Sequence, residues 1–125
     1  MVTKRVVVTG LGALTPIGNN VADYWASLSK GVSGAMLITR FDTSKFKTKF
    51  ACEVKNFDPT LFIDKKEIRR LDPFVQYAIA CSDEAVADAD ISIEKIPAER
   101  IGVIWASGIG GISSFYQDIV EQAKG

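Results

Sequence analysis

The stretch Val6-Val7-Val8-Thr9-Gly10-Leu11-Gly12-Ala13-Leu14-Thr15-Pro16-Ile17-Gly18 runs from a β-branched apolar segment into a turn rich in glycine. A second stretch, Ile101-Gly102-Val103-Ile104-Trp105-Ala106-Ser107-Gly108-Ile109-Gly110-Gly111, repeats the pattern. A short β-branched run reads as a buried strand, and glycines after it let the backbone turn tightly or approach a neighbour closely. Strands at residues 4–10 and 100–107 are therefore expected, each leading towards a helix. Alternation of strand, turn and helix predicts an α/β fold with a mostly parallel sheet, which places chemistry at the carboxyl ends of its strands.

Helices are expected between and after these strands. Asn20 is a good N-cap for a helix to Lys30, with Gly31 as its stop and Val21, Tyr24, Trp25 and Leu28 on one apolar face. Asp72-Pro73 opens a second helix to about residue 89, whose stripe holds Phe74, Ala78, Cys81 and Ala85. The end of that helix carries Asp83, Glu84, Asp88 and Asp90, the wrong sign for a helix carboxyl terminus. A third helix is expected from Ile112. Residues 31–49 read as irregular, 50–54 as an edge strand alternating Phe50, Cys52 and Val54 inward, and 64–70 as a short basic helix or turn.

At 125 residues the chain is long enough for one domain. Its 47% hydrophobic and 24% charged residues are those of an ordinary globular protein. Net charge is zero but unevenly spread: +2 over residues 1–39, +4 over 40–70 and −6 over 71–125. That balance argues against a general nucleic-acid binder, while the basic middle suits an acidic partner. No apolar run reaches the roughly 20 residues that span a bilayer. The start reads as a strand rather than a leader, and two cysteines fit a reducing compartment, so a cytoplasmic protein without membrane contact is expected.

The chain has no histidine, which closes imidazole chemistry to these residues acting alone. Cys52 and Cys81 lie on apolar stripes and make weak nucleophiles and a poor metal site, so neither a catalytic residue nor a metal is assigned within the chain. The 10–18 turn has the wrong spacing for dinucleotide binding: Thr15 replaces the third small residue, and Pro16 falls where a phosphate-binding helix should begin. It also lacks the Gly-Lys-Ser/Thr ending of a P-loop. No cofactor is expected. The 107–111 loop could hold an anion through its N–H groups, or serve only as a turn needing positive φ. Lys65-Lys66-Glu67-Ile68-Arg69-Arg70 is the one dense basic cluster; on a helix Lys66, Arg69 and Arg70 share a face. Such a face is either simply solvated or a contact for a small acidic protein or a phosphate.

Three blocks in order resemble the N-terminal portion of a β-ketoacyl-acyl-carrier-protein synthase, most closely the synthase II type. They are the 6–18 stretch, Arg69-Arg70-Leu71-Asp72-Pro73-Phe74-Val75-Gln76-Tyr77-Ala78, and the 101–111 stretch. The resemblance covers the whole chain and implies a partial thiolase-like fold, layered α-β-α-β-α, with residues 1–125 forming the early part of the first half. It implies a homodimer that condenses acyl and malonyl groups delivered by acyl carrier protein. The nucleophilic cysteine and two histidines of such enzymes would lie outside residues 1–125. It also implies that Lys66, Arg69 and Arg70 dock the carrier, and that Ile109 with Gly108 lines the acyl pocket. The rival readings are a polyketide ketosynthase or chain-length factor, a non-catalytic carrier-binding module, and a nucleotide-dependent oxidoreductase. Buried on both faces in the expected fold, the 4–10 and 101–107 strands would leave this piece poorly stable alone.

Overall fold

The computed structural model describes residues 3–92 and 94–125. Helix α1, Val21–Ser29, begins where expected: Asn20 Oδ1 accepts from the Asp23 N–H at 2.8 Å, and its Nδ2 donates to the Asp23 carboxylate. It ends on Gly31 at φ +67, with Gly31 N–H on Leu28 O and Val32 N–H on Ser27 O. That paired closure needs a left-handed residue, and glycine adopts it without strain. Val21 and Tyr24 are half-buried, whereas Trp25 and Leu28 of the expected apolar face are exposed.

Strand β1, Ala35–Leu37, falls inside the segment expected to be irregular, which is a correction to the sequence reading. It pairs antiparallel with β2, Phe50–Cys52, in the register Ala35 to Cys52 and Leu37 to Phe50. The pairing was not legible because Met36 and Leu37 lack an alternating pattern. Ala51 turns inward here while Phe50 and Cys52 are exposed, the reverse of the expected alternation, so Cys52 is not on a buried stripe.

The short helix α2 spans only Lys65–Ile68, and the chain then tightens, with Arg70 N–H on Glu67 O and Leu71 N–H on Ile68 O. Helix α3, Pro73–Asp88, starts at the Asp72-Pro73 signal and carries the buried Ala80 and Cys81. With Ile63 they make up the buried apolar core among the described residues. Phe57 extends this centre, stacked on Phe62 and edge-on to Tyr77 at 5.3 Å between ring centres. Helix α4, Ile112–Lys124, presents Phe115, Tyr116 and Ile119 to solvent.

The two expected central strands form no ladder. Among the described residues the one sheet is the antiparallel pair β1–β2; residues 4–10 and 101–107 have no strand beside them. Val6 is 93% exposed and Ile104 98%. The physical reason is that a strand exists only through its neighbours' N–H and C=O groups, and the described residues supply none for these two runs. The surface measures 10585 Å², against about 6,600 Å² for a compact monomer of this mass.

Candidate functional site

The glycine turn at 10–18 lies along α3. A Cβ on Gly10 would come within 2.6 Å of the Ala89 nitrogen, and one on Gly12 within 2.9 Å of the Cys81 carbonyl carbon. Both distances are below any real Cβ contact, so these glycines serve close backbone packing on the helix. Two of the turn's N–H groups, and that of Val21 at the start of α1, are satisfied from the same helix. Glu84 accepts from Ala13 N–H through one oxygen and from Val21 N–H through the other, each at 2.8 Å, and Asp88 accepts from Leu11 N–H at 2.9 Å.

Those contacts account for two of the four acidic residues that fit α3 badly. Glu84 and Asp88, one turn apart, give the glycine segment its acceptors, and the charge-assisted bonds outweigh a dipole cost of a few tenths of a kcal/mol each. Asp90 takes φ +49 and closes α3 as glycine closes α1, with Ile91 N–H on Val86 O and its own carboxylate paired with Lys95. Nothing in the structure explains Asp83. Local reasoning missed these roles, although an acidic pair at i and i+4 on an unfavourable helix end was the available signal.

Lys66, Arg69 and Arg70 are all exposed. An open groove of about 800 Å³ is lined by Lys65, Lys66 and Arg70, together with the carboxylates Asp64 and Glu67, above the buried Ile63. Arg69 does not line it, although Lys66 and Arg70 on either side of it in the chain do. None of these four cations makes an ion pair among the described residues, where the single pair is Lys95 with Asp90. The turn leading into the groove is capped by Asp58, which accepts from Thr60 N–H and hydroxyl. Those bonds hold its carboxyl below the usual range.

The loop 107–111 is open. Gly110 sits at φ +74, and Ser107 Oγ accepts its N–H at 3.1 Å, a turn that requires glycine. Ile109 is 74% exposed, and no heavy atom lies within 4 Å of where a Cβ on Gly108 would be. The loop and the basic turn meet at Asp72, a residue that the sequence marked only as a helix cap. Its carboxylate makes no bond to α3; it accepts from the Ser114 hydroxyl in α4 and lies against Gly111, Oδ1 being 2.7 Å from a Cβ placed there. The diverted cap forgoes about 1 kcal/mol of helix stabilisation.

The remaining candidate chemistry is quiet. Cys81 is 8% exposed. Burial pushes its thiol up and the Glu84 charge adds to this, against a backbone hydrogen bond with Leu14. A raised thiol is a poor nucleophile at neutral pH. No group of three or more Cys, Asp or Glu among the described residues is placed to hold a metal ion. No helix among them is long and apolar enough to cross a membrane.

Comparison with known proteins places this arrangement. Residues 3–124 match the beta-ketoacyl synthase N-terminal domain. The chain is 53% identical over 112 residues to 3-oxoacyl-[acyl-carrier-protein] synthase 2 of Staphylococcus aureus, covering 90% of the chain and 27% of that protein. It is 50% identical over 109 residues to the protein of that name from a Synechocystis species, covering 87% and 26%. Among solved structures it resembles the ishigamide ketosynthase/chain length factor, with a TM-score of 0.64 and 41% identity over 70% of this chain and 22% of that one. It also resembles a type II PKS acyl-carrier protein in complex with its ketosynthase, with a TM-score of 0.55 and 27% identity over 74% and 24%. The chain thus spans about a quarter of the length of the curated relatives it matches. On the match across residues 3–124, the chain belongs to the beta-ketoacyl synthase family.

Proposed function

We propose that the chain is the N-terminal section of a cytoplasmic 3-oxoacyl-acyl-carrier-protein synthase of the synthase 2 type. In this reading it forms the early part of the first half of a layered, thiolase-like homodimer. The observation that carries the reading is the match of residues 3–124 to the family's N-terminal domain, joined to identities of about one half with synthase 2 proteins. The bare runs at 4–10 and 101–107 support it, because apolar surface of that extent needs cover from elsewhere.

The enzyme would take an acyl group from carrier thioester onto a cysteine thiol. Malonyl-carrier would then lose carbon dioxide. The electron pair of the broken carbon–carbon bond would attack the acyl carbonyl and expel the cysteine thiolate. The nucleophile and two histidines would come from outside these 125 residues, since the chain holds no histidine. The part played here is binding. Lys66, Arg69 and Arg70 would meet the acidic carrier, with Lys66 and Arg70 on the groove and Arg69 beside it. Ile109 and Gly108 would wall the acyl pocket, facing cover that the isolated chain lacks.

The test is titration of acyl carrier protein onto the full-length synthase carrying this segment. Lys66→Glu with Arg70→Glu should weaken binding at least tenfold and lower kcat/KM in step; unchanged affinity would remove the docking role. A polyketide ketosynthase or chain-length factor is the second reading, favoured by the resemblance to the ishigamide ketosynthase/chain length factor. Cysteine at the nucleophile position of the longer protein fits a synthase, and glutamine there fits a chain-length factor.

A further inference from the structure

The basic turn and the glycine loop are far apart in sequence yet joined by one side chain. Gln76, one turn into α3, donates its amide to the carbonyls of Leu71 at 2.7 Å and Ile68 at 3.2 Å. The end of the basic turn is thereby tied to the start of α3 as one piece. From that piece Asp72 reaches across to α4, where it holds the Ser114 hydroxyl and packs on Gly111. The loop has few restraints of its own. The positions a Cβ would take at Gly108 and Gly110 have no heavy atom within 4 Å, and its one internal side-chain bond runs from Ser107 to Gly110. A carboxylate that abandons its own helix for another element is placed to orient that element.

We infer that Asp72 is a positioning residue: it fixes the 108–111 loop, and Ile109 with it, relative to the carrier-docking turn, and so sets which acyl-chain lengths the enzyme uses. The inference rests on the reading under Proposed function. A long acyl tail must touch a correctly set Ile109, whereas a short tail stops before it. Loss of the Asp72 grip therefore penalises long chains selectively. It leaves Lys66 and Arg70 on their groove, so encounter with the carrier is spared.

The experiment uses the full-length synthase, hexanoyl- and dodecanoyl-loaded carrier protein as substrates, and unloaded carrier for affinity. Asp72→Ala should lower kcat/KM for the dodecanoyl substrate about tenfold relative to the hexanoyl one, through KM, the size of one ordinary hydrogen bond. Affinity for unloaded carrier should stay within about twofold. Asp72→Asn keeps an oxygen for Ser114 and should restore the unsubstituted ratio. Ser114→Ala, a milder change should Asp72→Ala fold poorly, should shift the ratio in the same direction. An unchanged chain-length ratio in both alanine variants overturns the inference. Equal loss on both chain lengths together with loss of carrier affinity overturns it too, because that is the signature of general damage. Failure of the unsubstituted enzyme to elongate either chain would sink the synthase reading and this inference with it.

Discussion

Replacing Glu84 by alanine should release the glycine segment from α3, and the size of the effect follows from two bonds. The carboxylate accepts from the N–H groups of Ala13 and Val21, both half-buried and both at 2.8 Å. A hydrogen bond to a charged group contributes about 1.5–3 kcal/mol, and a buried donor left without a partner costs a similar amount. Alanine at 84 removes both acceptors, for a total of about 3–5 kcal/mol, with some recovery from water reaching the opened site. Glutamine keeps one acceptor oxygen but turns an NH2 towards the other N–H, so it should lose about half as much. The assay is hydrogen exchange in the full-length synthase. Each bond lost should speed exchange of its own amide by about 10- to 150-fold. Leu11, whose amide rests on Asp88, serves as an internal comparison and should change less. Exchange at Ala13 and Val21 that stays within about twofold in both variants would refute the assignment of Glu84 as their acceptor.

Further expectations rest on single contacts. Gly12→Ala pushes a methyl into the Cys81 carbonyl and should destabilise by about 1–3 kcal/mol, read as a lower urea midpoint with unchanged slope. Cys81 keeps its proton longer when folded, because burial raises its thiol. Its contribution is thus full below the unfolded thiol value of about 8.5 and is lost as pH rises through the folded value. Cys81→Ala should flatten that alkaline decline in a pH series of melts. In native protein a maleimide should label the exposed Cys52 at least about a hundredfold faster than Cys81, and equal rates would contradict the burial. Asp58 behaves oppositely: its carboxyl is held low by Thr60, so the cap it forms is present above the unfolded carboxylate value. That cap is lost as pH falls through the folded one. Thr60→Val removes the hydroxyl bond but keeps the backbone N–H one, so it should weaken this dependence in acid unfolding curves.

The sequence disclosed those parts whose cause is local. The Asn20 cap, the Gly31 stop and the Asp72-Pro73 start each act within a few residues, and α1 and α3 begin and end as expected. Where the cause lies at long range, local reading failed. β1 needs β2 as its partner, and Met36 and Leu37 carry no pattern that says so. The acidic end of α3 looked unfavourable because its acceptors serve a segment more than 60 positions away. The same holds for Asp72, whose capping position was legible but whose actual partner, Ser114, was not. The runs at 4–10 and 101–107 read correctly as apolar, but no neighbour among the described residues turns them into a sheet. Of the basic cluster, the solvated character of Lys66, Arg69 and Arg70 was legible. That Arg69 does not line the groove was not legible from its helical spacing.

Condensation measured on purified residues 1–125 beside the full-length synthase tests the account most directly. With malonyl- and acyl-loaded carrier protein, the longer enzyme should form the elongated β-ketoacyl product while the 125-residue chain forms none. Product formed by the 125 residues alone, from material free of other synthases, would contradict the claim that the reacting groups lie elsewhere.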